Sequence, residues 1–478
     1  MDDWNEAISL RALSPLDGRY AKECAPLRGL FSERALFGER VTVEVHYWLA
    51  LLRFLDRGLP APAECAALLR WACELDDSDL SRVKCLEQRT HHDIKAVEYF
   101  IREHVKGTVW EKHSPWIHWG LTSEDTDNLA YGRLMTRAVA KVMLPAAREL
   151  VSRLLRLARR DAQVVLLGRT HGQVAVPTTL GKEWAVFLSR AHYWLKQLQN
   201  QRFGGKLNGA VGNLNAQSLL FPERDWLGFG AQFVRSLGLE PTLVTTQIEP
   251  ASQLVAYLDR QRQLNNVWLD LCQNVWLYTT LGVLRQVAVA GEVGSSTMPH
   301  KVNPIHFENA EGNLQVSNAL LQMLSSKLSL SRLQRDLSDK TVKRNIGVAL
   351  GHSLVAAEAL LQGLSRLEPD SENLREQVAA HPEVLAEALQ LWRRARGEAD
   401  AFGDIQAAVR GDESGWAKLV QELDSQERST VSTWSPEAYI GLAAELAQAE
   451  ADRVERDLGL PEDPARIDRG DQADGEET

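Results

Sequence analysis

Cysteine is scarce and shows no pattern. The five in the chain, Cys24, Cys65, Cys73, Cys85 and Cys272, include no CxxC pair. An odd number of thiols with no leader ahead of them argues against a disulfide framework and for a reducing, cytoplasmic setting. No cysteine or histidine cluster has the spacing of a zinc site, so no metal is expected. The opening residues, MDDWNEAISLR, are acidic and lack the apolar centre of a secretory leader. No uncharged apolar run reaches about 18 residues, so no membrane span is expected. Lysine and arginine form no block, which argues against a nucleic-acid surface. No self-similarity recurs at roughly 30–45 residues, which argues against a helical solenoid. Strand signals are scarce throughout.

What is present is an ordinary globular composition, 44% hydrophobic and 25% charged over 478 residues. That length is too great for one core, and two or three domains are expected. The formal net charge is −10, and residues 459–478, with seven acidic and two basic side chains, carry half of it. This acidic tail is expected to be disordered. The mildly acidic remainder does not exclude an anionic small molecule as ligand, because a few placed arginines suffice to bind one.

Helical periodicity dominates after residue 130. Leu180, Trp184, Phe187, Ala191, Leu195 and Leu198 recur at spacings of three and four, behind the cap candidates Thr178 and Thr179. Leu254, Leu258, Leu264, Trp268, Leu271, Val275 and Tyr278 mark a helix expected over 250–288. At about 1.5 Å per residue it would be roughly 55–60 Å long. Further helices are expected over 125–160, 306–330 and 341–366. Helices this long cannot all bury their stripes inside one compact domain. They predict an extended five-helix bundle shared between subunits, with the tryptophans between 184 and 276 serving the interface. Around this central domain, 116–366, residues 1–115 read as a smaller helical domain and 367–460 as a third domain of shorter helices, with the tail, 461–478, beyond it.

Four polar segments carrying glycine or clustered polar residues interrupt the helices: THHDIKAVEYF (90–100), GLTSEDTDN (120–128), GRTHGQVAVP (168–177) and GEVGSSTMPHKVNPIHFEN (291–309). The ends of long helices in a bundle can bring such distant segments together. TSED has the form of a helix start, with Thr122 or Ser123 capping. Such a start offers N–H groups and hydroxyls to a carboxylate, and the acids in its first turn oppose this unless they point away. His92–Asp93 reads either as a turn or as an oriented imidazole for proton transfer. His171, between Thr170 and Gly172, reads first as a turn residue. The last segment is harder to explain by capping alone. Gly291 and Gly294 permit unusual backbone angles, and Ser295, Ser296 and Thr297 bring three hydroxyls. Lys301 and Asn303 supply donors for a carboxylate or an oxyanion, and Pro304 fits the entry to the next helix.

GSSTMPHKVNP in that segment resembles the signature loop of the fumarase/aspartase superfamily, GSSxMPxKxN. The resemblance implies a mainly α, three-domain fold whose long central five-helix bundles pack into a homotetramer with active sites shared between subunits. His300 fills the variable position and gives MPHK, as in the adenylosuccinate lyase family; fumarases typically have Gly there, aspartases Ala and argininosuccinate lyases Gln. SPLDGRY (14–20), HDIKAVEYF, TSED, RTHGQ, KLNGAVGN (206–213), TTQIEP (245–250) and QRDLSDKTVKRN (334–345) agree with the bacterial type of that family. The alternatives are another fumarate-releasing lyase of the superfamily and a scaffold without activity; Ser295 and His171, both present, argue against the latter.

The resemblance implies β-elimination of fumarate from adenylosuccinate, giving AMP, and from succinyl-aminoimidazole-carboxamide ribotide, giving AICAR. It implies Ser295 as the base and His171 as the acid to the departing nitrogen. Glu308 matches the carboxylate that orients this histidine, and His92 a second histidine near the phosphate or the leaving group. A carbanion beside a carboxylate needs placed donors; Thr122, Ser123, Lys301 and Asn303 are suited to this. Arg19, Arg335 and Arg344, with Tyr20 alongside, match phosphate contacts, for which a planar guanidinium is well shaped. Gln247 matches a polar contact, and His91, Asp93, Ser296, Val302 and Asn309 complete the implied substrate surface. No metal or organic cofactor is implied. Two positions depart from the family: His91, where close bacterial relatives often have Asn, and Lys340, where the family has a phosphate-contacting Ser and a lysine would act as a point charge.

Overall fold

The computed structural model describes residues 10–288, 297–298, 300–410 and 414–459, and they are mainly helical. The acidic tail, and Gly291, Gly294, Ser295 and Ser296 of the signature segment, lie outside the described residues.

The expected long helices form. The first runs Ser123–Ala138, passes through a π-helical turn at Val139–Met143 and continues as Leu144–Arg160. Pro145 lacks the N–H that an unbroken α-helix requires, and the widened turn just ahead of it re-registers the ladder. The helix Leu180–Gln199 starts where Thr179 accepts a hydrogen bond from Lys182 N at 3.3 Å, as its cap position predicts. The helices Ile305–Leu328 and Ile346–Ser365 follow. Across 338–365 an 18-residue window has mean hydropathy 1.3, but 72% of it is buried in the protein, so this apolar stretch serves the core.

The helix expected over 250–288 is shorter, Ser252–Thr280, about 44 Å at about 1.5 Å per residue. Gly282, at φ 68°, turns the chain. Gln377 Nε2 and Asn373 Nδ2 then satisfy the carbonyls of Leu281 and Gly282 at 2.8 and 2.7 Å. Beyond it Leu284–Gln286 pairs antiparallel with Leu367–Pro369, a strand pair that periodicity did not reveal. A second unexpected element is the hairpin Val165–Thr170 with Gln173–Thr179, bulged between Leu167 and Arg169.

The contacts divide the chain into two compact units, each discontinuous in sequence. The first comprises residues up to Ala147, Trp194–Asn266 and Gly312–Glu358. An apolar cluster in it, over residues 37–117, includes Phe37, Trp48, Val83, Val97 and Ile101. A buried polar ladder crosses its helices: Gln261 donates to Asn265 at 3.0 Å, and Asn265 donates to Ser317 and Ser353 at 3.1 and 2.8 Å. Each bond contributes on the order of 1 kcal/mol. Because every member must be satisfied, the ladder also fixes one helix register.

The second unit comprises Arg148–Tyr193, Val267–Glu311 and the chain from Ala359 onward. A Cβ at Gly181 would lie 2.5 Å from the Ala158 carbonyl and the Ala162 Cα, so two backbones touch there. Arg159 binds Glu455 and Asp452, which ties the terminal helix Ala443–Leu458 to the end of the helix Leu144–Arg160. Trp184 is buried and donates to Asp161 at 2.8 Å, and Trp268 is also buried. These two serve the interior and are not the interface residues expected of them. A separate cluster, with Leu389, Ile405 and Trp416, forms over residues 385–431.

Candidate active site

The first unit holds six of the segments singled out in the sequence: SPLDGRY, THHDIKAVEYF, GLTSEDTDN, KLNGAVGN, TTQIEP and QRDLSDKTVKRN. Thr122 is the N-cap of the helix Ser123–Ala138, and its N–H donates to Asp125 at 2.9 Å. The carboxylate of Asp125 also receives Asn208 N at 3.1 Å, Gly209 N at 3.2 Å and the Lys206 ammonium at 2.9 Å. Lys206 is completely buried. An unpaired buried ion costs on the order of several kcal/mol, and Lys206 avoids this with Asp125, the Gly209 carbonyl at 3.0 Å and the Gln247 carbonyl at 2.8 Å. One ammonium thus joins TSED, KLNGAVGN and TTQIEP. Gly212 permits the fit: its φ is 84°, and a Cβ there would lie 2.2 Å from the Thr245 carbonyl.

QRDLSDKTVKRN closes the group. Gln247 N donates to Gln334 O at 3.2 Å, and Arg335 Nη1 donates to Gln247 Oε1 at 3.1 Å and to Ser123 Oγ at 3.4 Å. Arg335 Nη2 lies 3.3 Å from Glu124, which also receives Lys343 at 2.9 Å. Burial opposes charge on Lys343, but Glu124 and Asp339 hold its ammonium above the ordinary lysine range. The acids of TSED therefore turn inward and are neutralised, and their charge does not oppose an anion at Thr122, Ser123 and Arg335.

His92 and Asp93 lie in the same unit. His92 is the N-cap of the helix Asp93–Val105, and its Nδ1 accepts from Lys95 N at 3.2 Å. The neutral ring then carries its proton on Nε2, which leaves that nitrogen as a donor. His91 precedes it at φ 51°, a left-handed conformation that Asn and His adopt more readily than most residues, which accounts for either at this position. Asp93 receives Lys340 at 2.6 Å and Arg40 at 3.1 Å. Burial would raise the Asp93 carboxyl, but these two cations outweigh it and hold it at about 2. Lys340, expected at the phosphate, is engaged by Asp93 and, at 3.1 Å, by Asp127.

Arg19 is exposed, its guanidinium 6.0 Å from the Tyr20 ring centroid. Arg344 is exposed too and borders a cavity of about 210 Å³ with Ser14, Asp17 and Arg28, which brings SPLDGRY next to the 334–345 segment.

The second unit holds the other candidates. His171 and Gly172 are the two central residues of the hairpin loop, at φ 53° and 76°. Positive φ at both positions defines the hairpin turn that usually takes Asn-Gly. A histidine held there is strained by about 1–3 kcal/mol, and such strain concentrates at working sites. His171 is exposed, and among the described residues its imidazole has no hydrogen-bond partner. Glu308, in the first turn of Ile305–Leu328, is exposed and accepts from Trp276 Nε1 at 3.3 Å. No bond joins it to His171 within the chain. Lys301 and Val302 are exposed, and Asn303 and Asn309 are half-buried. Among the described residues, no group of three or more His, Cys, Asp or Glu is arranged to hold a metal ion.

Sequence reasoning missed Lys206, Asp125, Glu124, Lys343, Arg40 and Asp127 as supports of this site. The one signal was in TSED, whose first-turn acids must point away if an anion is to bind there.

A lyase family model matches residues 18–317, and the adenylosuccinate lyase C-terminal model matches 331–440. The chain belongs to the adenylosuccinate lyase family. Adenylosuccinate lyases of Haemophilus influenzae and of Escherichia coli K12 are each 41% identical over 449 residues, 92% of this chain and 98% of theirs. That of Dictyostelium discoideum is 38% identical over 455 residues, 91% of this chain and 97% of its own. The fold also matches a fumarate lyase from Mesorhizobium sp. BNC1 at TM-score 0.72 and 17% identity, over 90% of this chain and 97% of that one. The 3-carboxy-cis,cis-muconate lactonizing enzyme of Pseudomonas putida matches at TM-score 0.71 and 20% identity, over 90% of this chain and 97% of its own. The family members are C–N lyases, and the superfamily fold expected from the signature loop is the one observed.

Proposed function

We propose that this chain cleaves adenylosuccinate into AMP and fumarate, and succinyl-aminoimidazole-carboxamide ribotide into AICAR and fumarate. The observation that carries this is the 41% identity to adenylosuccinate lyases along nearly the whole chain. The Ser295 oxygen takes the proton from the carbon next to a carboxylate. The electron pair left there forms the carbon–carbon double bond of fumarate, the C–N bond breaks, and His171 protonates the departing nitrogen. The intermediate charge spreads into the carboxylate, where Thr122, Ser123, Lys301 and Asn303 donate to it. Arg335, Arg344 and Arg19 hold the phosphate, and Gln247 contacts the substrate. The inward neutralisation of Glu124 and Asp125 supports this binding end, and the strained, exposed turn at His171 supports its catalytic role.

The enzyme is a cytoplasmic homotetramer in this reading. Tyr193, Trp276, Leu277, Val316 and Met323 expose apolar surface on the long helices, which supports packing against other copies. Glu308 then meets His171 of a different subunit, which accounts for their separation within the chain. Purified enzyme given adenylosuccinate should release fumarate and AMP in equal amounts. Fumarate release only from argininosuccinate, aspartate or malate would replace this reading with another lyase of the superfamily.

A further inference from the structure

Lys340 stands where the family carries a phosphate-contacting serine, yet its ammonium lies 2.6 Å from Asp93 and 3.1 Å from Asp127. Arg40 completes the group, 2.6 Å from Asp127 and 3.1 Å from Asp93, with its side chain almost wholly buried. Among the described residues, the buried Asp93 Oδ2 and Asp127 Oδ2 meet no hydrogen-bond donor and are matched only by these cations. The four side chains come from four stretches of chain, and their charges cancel: two cations and two carboxylates. Asp127 and Asp93 outweigh burial and keep Arg40 charged, and its single positive charge cannot match both carboxylates once Lys340 is gone.

We propose that Lys340 is a positioning residue: it neutralises the Asp93–Asp127 pair and thereby fastens the helix Ser338–Lys343, flanked by Arg335 and Arg344, to the turn that carries His92. This rests on the functional reading above. The phosphate is held by arginines, and Lys340 acts on it only through charge balance and placement. Removing the ammonium leaves one buried negative charge beside the segment that receives a dianion, which weakens binding. Removing one carboxylate as well restores neutrality without restoring any lysine to the phosphate.

The test compares wild type, Lys340→Met and the double variant Lys340→Met/Asp127→Asn. Asn keeps an acceptor for Arg40 while dropping the charge. Three quantities are read well below the unfolding temperature of each protein: kcat and KM for adenylosuccinate, the affinity for inorganic phosphate, and the circular dichroism of the fold. Lys340→Met should lower kcat/KM by about tenfold or more, mostly through KM, and weaken phosphate similarly. The double variant should recover both to within about threefold of wild type. Equal losses in the single and double variants would make Lys340 a direct phosphate ligand. Wild-type affinities in Lys340→Met would remove any role beyond stability. A wild-type enzyme inert on adenylosuccinate would sink the functional reading alone, because phosphate affinity across the three proteins still decides the charge-balance claim.

Discussion

The two ends of the proposed chemistry are built differently. Around Thr122, Ser123 and Arg335, every charged support has a partner inside the same unit: Asp125 with Lys206, Glu124 with Lys343 and Arg335, Asp93 with Arg40 and Lys340. Around His171 there is a tight turn, an exposed ring and no partner among the described residues. The donors at the proposed binding end are held by buried ion pairs that are costly to break. The proton-transfer end is open and strained. In the proposed reading the first region holds the nucleotide anion, whereas the acid, His171, needs completion from beyond its own unit. Damage to the first region should therefore appear in KM and stability, and damage to the second in kcat.

The strongest test of that contrast is Ser295→Ala. Removing the general base should lower kcat by about 10²–10⁴-fold, with substrate affinity from equilibrium binding close to wild type. Near-normal turnover would take Ser295 out of its role. His171→Gln should behave alike, with kcat down by about 10²-fold or more. Mixing the two inactive proteins under conditions that exchange subunits should regenerate activity, since mixed oligomers contain sites with both native groups. Mixtures that stay inactive while exchange is demonstrated by mass would place each site within one chain.

Next in size is Lys206→Met, which leaves Asp125 buried and unpaired. Breaking a buried pair from one side costs about 3–5 kcal/mol, to be read as a lower midpoint in urea unfolding. An unchanged midpoint would show that the binding end is not held by this pair. Arg335→Lys keeps the charge and loses the planar fork that now reaches Ser123, Gln247 and Glu124. KM should rise about 10-fold, with kcat within a few-fold of wild type. A loss confined to kcat would place Arg335 at the reacting atoms.

These tests also separate what was legible in the sequence from what was not. The long helices were readable because apolar residues at spacings of three and four extend over many turns. The limit at Thr280 was not, because the chain past it turns on Gly282 and is held by Asn373 and Gln377, some ninety residues away. The motif segments could be named, and their resemblance assigned roles to Ser295 and His171. That His171 sits at positive φ could not be read from a lone histidine, although His-Gly between two alternating apolar runs has the form of a two-residue hairpin turn. Lys340 is the clearest case. Its position in the motif suggested a phosphate contact although a lysine departs from the family's serine there, and only the burial of Asp93 and Asp127 reveals where its charge is engaged.

The smallest effect sharpens the contrast through pH. His118 precedes the TSED helix at φ 58°, and its Nδ1 lies 2.7 Å from the buried Glu44, which also accepts from Thr126 at 2.5 Å. Burial favours the neutral ring, but Glu44, with Glu98 and Asp125 adding to it, wins and raises the His118 pKa above its ordinary value. A raised folded-state pKa means that the protonated ring contributes stability fully below about pH 6.5, the ordinary value. That contribution fades as pH rises through the folded value. The unfolding temperature of wild type should exceed that of His118→Gln most at pH 5.5, and the gap should narrow steadily toward pH 9. Glutamine retains a donor for Glu44, so what narrows is the charge contribution. A gap that is constant with pH would mean that His118 is held neutral, and that the binding end gains nothing from this proton.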